Sequence, residues 1–164
     1  MANADEAEWD IEFYADENGH EPCRAWAEAL SPLKRAAFRA AVETVLVKRG
    51  LHVVDSELGK ALGHGLYELR LRQTAEEIRQ RVDGLDLAAL DADVHAPPEK
   101  ILLRVFFCTD GSKIILLLSA YDKADDSTAK RQDREIANAR KLLKAHQEAK
   151  KRAQKRAKRQ GGKH

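Results

Sequence analysis

Two strongly apolar runs, ILLRVFFC at 101–108 and KIILLLSAY at 113–121, are separated by only four residues, Thr109 to Ser112. The linker contains Asp110-Gly111, and Asp-Gly between two runs rich in Ile, Leu, Val and Phe is a strong β-hairpin signal. The two runs therefore predict an antiparallel strand pair. Both are too short to span a bilayer, and the acidic N terminus does not resemble an export signal, so we expect a cytoplasmic protein without membrane contact.

A third strand is predicted at residues 66–72, LYELRLR, where apolar and charged residues alternate strictly. Because the side-chain period of a strand is two, one face carries Tyr67, Leu69 and Leu71 and the other carries Glu68, Arg70 and Arg72. A sheet with one face toward solvent explains such a pattern without any function.

The remaining elements are predicted from apolar periodicity and capping residues. Residues 9–14, WDIEFY, alternate as a strand. Pro22 and Ser31-Pro32 each mark the start of a helix, and Gly50 marks the end of the second. Asp125, Asp126 or Ser127 is expected to cap a C-terminal helix whose apolar stripe is Ile136, Ala139 and Leu143.

The order strand, two helices, three strands and terminal helix predicts an α+β domain with a small antiparallel-rich sheet packed against helices. With 164 residues and 43% hydrophobic content, the chain suits one domain. We assign residues 1–149 to it, with an insertion at about 73–100 that has seven acidic and three basic residues. This segment is too long for a hairpin loop. It is predicted to be either a mobile surface segment or one that packs across a sheet edge.

Residues 150–164 form a basic tail with eight Lys and Arg residues and no acid, whereas residues 1–149 have more acidic than basic residues. The tail lacks an apolar stripe. We therefore predict a solvated, partly helical extension outside the fold, with Lys150, Lys151 and Arg152 among its RNA contacts. A solubilising role explains the same composition.

Arg104 is the least expected residue of the hairpin, because it stands alone among apolar neighbours in ILLRVFFC. An unpaired buried charge is costly, so Arg104 needs an anionic partner. A salt bridge to Glu68 on a neighbouring strand meets that need. A bound phosphate does so equally well, since the planar guanidinium matches it.

Several other residues are candidates for nucleotide binding or acid–base chemistry. Tyr121 and Lys123, which the strand period groups with Ser119, are suited to holding a nucleotide, although Tyr121 is equally suited to covering the core. Among the histidines only His64, beside the arginine strand, is a candidate for testing. No common nucleotide, zinc or serine-hydrolase motif is present, and Cys23 and Cys108 are expected to be reduced core residues, so no cofactor and no metal are predicted.

The chain resembles the RelE/ParE superfamily of toxins, in its HigB-like, phage-derived branch. Members of that branch carry L-G-x-G-L-x-E-L-R before a strand, an apolar strand containing Arg, a Lys-containing exit from the last strand, and an E-I pair in the terminal helix. Here these are LGHGLYELR from Leu62 to Arg70, Arg104 in LLRVFF, Tyr121 to Lys123, and Glu135-Ile136. The resemblance covers about residues 8–145 and implies a RelE-like fold.

The function that the resemblance implies is ribosome-dependent mRNA cleavage by a toxin of a type II toxin–antitoxin system. The partners would be mRNA, the ribosome and an antitoxin, often a helix-turn-helix protein. The RNA 2′-hydroxyl attacks its own phosphate, and no metal is needed. By position, Arg70 and Arg104 would stabilise phosphate charge, Lys123 would supply charge or a proton, and Glu68 is a candidate general base. Arg72 and Tyr121 would contact RNA.

Two alternatives remain open at the level of the sequence. Where the family has basic residues after the last strand, this chain has Asp122, Asp125 and Asp126, which are expected to place repelling charge near a phosphate site. These acids and the acidic insertion are compatible with a degenerate or non-catalytic module that binds a partner. A gyrase-directed toxin, as in the ParE branch, is the other alternative.

Overall fold

The computed structural model describes residues 8–74 and 100–161. The first strand and helices are β1 (Asp10–Phe13), α1 (Pro22–Glu28) and α2 (Pro32–Ala40). The second helix continues through π-helical turns (Ala41–Leu46) into α3 (Val47–Arg49), which a 3-10 helix (Gly50–Asp55) follows. The remaining elements are β2 (Gly59–Gly63), β3 (Leu66–Thr74), β4 (Lys100–Thr109), β5 (Ile114–Asp122) and α4 (Ala129–Gly161). The predicted α+β class is confirmed.

One five-stranded sheet forms the centre of the molecule, in the order β1-β5-β4-β3-β2. The strand β1 runs parallel to β5, and every other neighbouring pair is antiparallel. The predicted hairpin is β4–β5, closed by a hydrogen bond from Asp110 N to Ile114 O at 3.0 Å. Gly111 adopts φ +69° there, which explains why the turn requires glycine.

One face of the sheet is covered by the helices between β1 and β2. Leu69 and Leu71 of β3 and Leu103 and Val105 of β4 point into this layer. Ser31 caps α2 through Lys34 N, as predicted, and Pro32 occupies the first turn. The apolar side chains between these helices and the sheet form the larger of the two cores in the described part of the chain.

The helix α4 covers the opposite face. Ala139 and Leu143 are buried there against Leu66, Phe106 and Leu118 of the sheet. Arg140 fixes the helix to the β2–β3 turn by donating to Leu62 O at 2.6 Å and Gly63 O at 3.2 Å. The central strands are thus largely apolar on both faces, and the charged side chains of Glu68 and Arg104 are removed from water.

The structure differs from the sequence predictions in two places, and a third prediction is not tested. The sheet has an additional strand, β2, which escaped prediction because GKALG has neither alternation nor β-branched residues. Thr128 caps α4, since its Oγ1 accepts from Arg131 N at 3.2 Å, whereas Asp126 accepts from Thr128 N. The predicted insertion falls largely within residues 75–99, outside the described residues.

Candidate functional site

The predicted site residues meet on the α4 side of the three central strands. Arg70 of β3 lies directly opposite Arg104 of β4, which in turn lies opposite Tyr121 of β5. Two residues along, Glu68 and Ser119 lie on the same face. β3 and the β4–β5 hairpin therefore bring one acid, two arginines, a hydroxyl and a phenol together.

A β-bulge in β5 decides that Tyr121 belongs to this cluster. The register shifts between Phe106 and Phe107, so that Leu118 has no partner on β4. Leu116 and Leu118 face α4 before the bulge, and Tyr121 faces α4 after it. Without the extra residue, alternation would turn Tyr121 toward the other core.

Glu68 forms an ion pair with Arg70 within β3. Arg70 Nε lies 2.7 Å from Glu68 Oε1. The Glu68 side chain is completely buried, whereas 31% of the Arg70 side chain is exposed. Glu68 therefore fixes the Arg70 guanidinium, whose outer part reaches solvent. The second carboxylate oxygen of Glu68, Oε2, has no hydrogen-bond partner among the described residues.

Arg104 lies beside this pair on the neighbouring strand, with only 3% of its surface exposed. Its Nε and Nη1 have no hydrogen-bond partner in the described part of the chain. Burial lowers the pKa of Arg104, while the charge of Glu68 raises it and that of Arg70 lowers it further. The salt bridge between Arg104 and Glu68 that the sequence suggested is not formed, because Glu68 is paired with Arg70 instead. Arg104 is thus a buried cation whose Nε and Nη1 donors have no acceptor among the described residues.

Tyr121 is also enclosed, with 2% exposure. Its ring stacks on Phe106 with centroids 6.0 Å apart, and the guanidinium carbon of Arg131 lies 5.6 Å from the ring centroid. Burial, followed by the charge of Glu68, raises the pKa of the phenol. The Tyr121 hydroxyl and Ser119 Oγ have no hydrogen-bond partner among the residues described. In this arrangement the ring is already covered and does not offer a free face to a base.

Arg131 of α4 is a site residue that sequence reasoning missed. It covers Tyr121 and forms an ion pair with Glu135 one turn later, with Nε and Oε1 2.8 Å apart. The spacing of four residues was a visible signal for the pair. Its position over the cluster depends on how α4 docks, which the local sequence does not reveal.

Arg72 and Lys123 lie at the rim of the cluster. Arg72 is exposed and lies opposite Leu102, whose carbonyl accepts a hydrogen bond from Lys123 N at 2.8 Å. Lys123 is half-buried, one residue beyond the end of β5. Both residues thus lie on either side of Leu102, beyond the row formed by Arg70, Arg104 and Tyr121.

The expectation that Asp122 places repelling charge at the site is wrong. Asp122 points to the opposite face of the sheet, where Lys34 Nζ lies 2.5 Å from its Oδ2. Its Oδ1 accepts from Ala124 N at 3.0 Å. The same bulge that turns Tyr121 toward Arg104 turns Asp122 away from it. Asp125 is exposed in the loop before α4.

Lys150, Lys151 and Arg152 do not join the cluster. Lys150 Nζ contacts Asp110 Oδ1 in the β4–β5 turn, at the other end of β5 from Lys123. Arg152 lies 3.6 Å from Glu17, and Lys151 is exposed. His64, also apart, is exposed in the β2–β3 turn with φ +53°.

Across the described residues, no group of three or more His, Cys, Asp or Glu side chains is arranged to hold a metal ion. Within the same residues, no helix has the length and apolarity needed to cross a membrane. Comparison of the chain with models of known protein families and with curated proteins finds no match.

Proposed function

We propose that the protein is a ribosome-dependent mRNA endoribonuclease, the toxin of a type II toxin–antitoxin system, as its resemblance to the HigB-like branch implies. One observation carries the proposal. Glu68, Arg70, Arg104 and Tyr121, which the resemblance singles out, come from three strands to one place on the sheet. The antitoxin, mRNA, the ribosome and a cytoplasmic location belong to the same proposal.

The reaction requires positive charge more than any other group. The RNA 2′-oxygen forms a bond to the adjacent phosphorus, the bond from phosphorus to the 5′-oxygen breaks, and a 2′,3′-cyclic phosphate results. A proton leaves the 2′-hydroxyl and another reaches the 5′-oxygen. Arg70, with its exposed outer part, would contact the phosphate. Arg104, on the neighbouring strand, would stabilise the charge of the phosphorane. Lys123 would add charge or a proton at the rim, and Arg72 would contact the RNA.

Burial changes the role that we propose for Glu68. A general base must reach the 2′-hydroxyl, and a completely buried carboxylate cannot do so in this conformation. Its hydrogen bond to Arg70 instead fixes the direction of that guanidinium. Contact of RNA with Arg104 or Tyr121 requires the first turn of α4, which carries Arg131, to move from the sheet.

Induced expression in a bacterial host tests the proposal. The wild-type chain should stop growth and leave transcripts cut at the ribosome, and Arg70→Ala and Arg104→Ala should abolish both effects. Arg39→Ala is the matched control, because Arg39 is an exposed arginine paired with Glu43 on the surface of α2. An Arg104→Ala protein as toxic as wild type would show that the site is wrongly assigned.

The enclosure of Glu68, Arg104, Ser119 and Tyr121 favours a second candidate, a non-catalytic module that binds an antitoxin-like partner. A structural polar cluster needs no access for RNA. Folded protein that neither stops growth nor cuts transcripts would support this candidate against the enzyme. A small helix-turn-helix reading frame beside the gene, whose product binds the chain, would identify the partner.

A further inference from the structure

A stripe of cations runs along the outer side of α4. It consists of Lys141, Lys144, Lys151, Lys155, Lys158 and Arg159, which we call the outer basic stripe; all six are exposed. At about 100° per residue, the six positions fall within about 100° of the helix circumference. Ala139 and Leu143, which dock on the sheet, lie on the other side of the helix. The stripe therefore faces away from the body of the protein.

The outer basic stripe is distinguished by the number of cations on one side of a single helix, since elsewhere on the described surface some cations are paired with acids and others, such as Lys48 and Lys60, are not. Arg24, Arg39 and Arg131 each form an ion pair with a nearby glutamate. No residue of the outer basic stripe has an ion pair among the described residues. Glu148 is the only acid between positions 141 and 159, and it lies on the same side of the helix as the six cations. Like charges three or four residues apart destabilise a helix. A polyanion that bound here would remove that repulsion.

The composition of α4 restricts the kind of polyanion. Helices that lie on membranes place large apolar residues beside their basic face. The outer side of α4 from Lys141 onward has only alanine between its polar residues. Proteins that hold single strands stack bases on aromatic rings, and the sequence of α4 contains no Phe, Trp or Tyr. What remains is a row of cations about 27 Å long, which suits the regularly spaced phosphates of a double helix.

We propose that the outer basic stripe binds the phosphate backbone of a nucleic-acid double helix. The assignment of this double helix to RNA rather than DNA rests on the proposed function, under which it is ribosomal RNA. This extends the predicted tail contact toward the N terminus, as far as Lys141. It excludes Lys150 from the contact, because Lys150 is turned inward to Asp110. Contacts with phosphates do not read sequence.

The test uses the full chain and a blunt 20-base-pair RNA duplex, with affinity measured by fluorescence anisotropy over a series of salt concentrations. The stripe variant changes Lys141, Lys151, Lys155 and Lys158 to Gln. The control variant changes Arg39, Lys48, Arg49 and Lys60 to Gln, which are exposed positions elsewhere. Both variants lose the same net charge. Circular dichroism checks that α4 is retained.

The stripe variant should bind the duplex about 100-fold more weakly at 0.1 M salt, and its plot of log affinity against log salt should be shallower by about 3 units. The control variant should bind within about threefold of wild type. Equal loss in both variants would overturn the proposal, as would binding to phosphatidylserine vesicles without binding to duplex. Binding to a DNA duplex alone would overturn the assignment to RNA. The assay measures duplex binding and not cleavage. The nuclease proposal can therefore fail while this proposal stands, and the reverse is also true.

Discussion

Arg70 and Arg104 lie directly opposite each other on β3 and β4, although both are positively charged. Like charges in such a pair repel. Glu68, on the same face, forms the ion pair with Arg70 and attracts Arg104. One buried carboxylate therefore permits two neighbouring arginines, and this arrangement is the basis of the first two predictions.

Replacing Glu68 with Gln should destabilise the protein by about 3 kcal/mol, because two arginines then face each other without a buried counter-charge. Urea unfolding followed by circular dichroism measures the change. Glu43→Gln is the control and should cost less than about 0.5 kcal/mol, since Glu43 and Arg39 are both well exposed. Equal stability of Glu68→Gln and wild type would show that Glu68 does not hold the cluster together.

Replacing Arg104 with Met should change the free energy of unfolding by less than about 1 kcal/mol, yet abolish growth arrest. The lost attraction to Glu68 is offset, because repulsion from Arg70 and the burial of unpartnered N–H groups also disappear. Stability and toxicity are measured on the same variant. A large loss of stability would mean that Arg104 is a structural residue, and retained toxicity would exclude it from the site.

Replacing Gly50 with Ala should cost about 2 to 4 kcal/mol. Gly50 adopts φ +50°, and a Cβ there would overlap the indole of Trp9. Gly65→Ala separates the two causes, because Gly65 also has a positive φ, +82°, but open space around it. It should cost about 1 kcal/mol. Thermal unfolding of both variants measures the two losses of stability. Similar losses would contradict the contact between the added Cβ and Trp9.

The carboxyl of Asp110 should titrate below the usual range of aspartate. The hydrogen bond from Lys150 lowers its pKa, and the charges of Lys150 and His146 add to this against the effect of burial. Because the folded pKa is the lower one, this contact stabilises the fold above the ordinary aspartate pKa. Its contribution disappears as the pH falls through the folded value.

An NMR titration of the Asp110 carboxyl measures the effect. Lys150→Gln should raise its pKa toward the ordinary value. Lys151→Gln should leave it unchanged, since Lys151 belongs to the outer basic stripe. Identical titration in all three proteins would show that Lys150 does not make the contact in solution.

Deleting residues 150–164 should lower the free energy of unfolding by less than about 1 kcal/mol. The deletion removes the contacts of Lys150 with Asp110 and of Arg152 with Glu17, which are partly or fully exposed and therefore weak. Side chains from Gln147 to Gly161 are exposed and add no core. Differential scanning calorimetry of both chains provides the comparison, and a drop of many degrees would show that the tail is part of the fold.

The sequence by itself determined the strands that have a clear period and the faces of their residues. Alternation in LYELRLR separates Glu68 and Arg70 from Leu69 and Leu71, and Asp110-Gly111 specifies the hairpin. These features depend on local geometry, in which each residue's direction follows from its neighbours along the chain. The apolar stripe of α4 at Ala139 and Leu143 could be predicted for the same reason.

Only the tertiary structure decided which charged groups meet. The choice of Arg70 as the partner of Glu68 depends on distances between side chains in the assembled sheet. A bulge of one residue at Leu118 reverses the faces of Tyr121 and Asp122, and nothing in the apolar run of β5 marks its place. The position of Arg131 over Tyr121 likewise follows from the docking of α4. Each of these relationships depends on how strands and helix pack against one another, so packing and strand register set them rather than local periodicity.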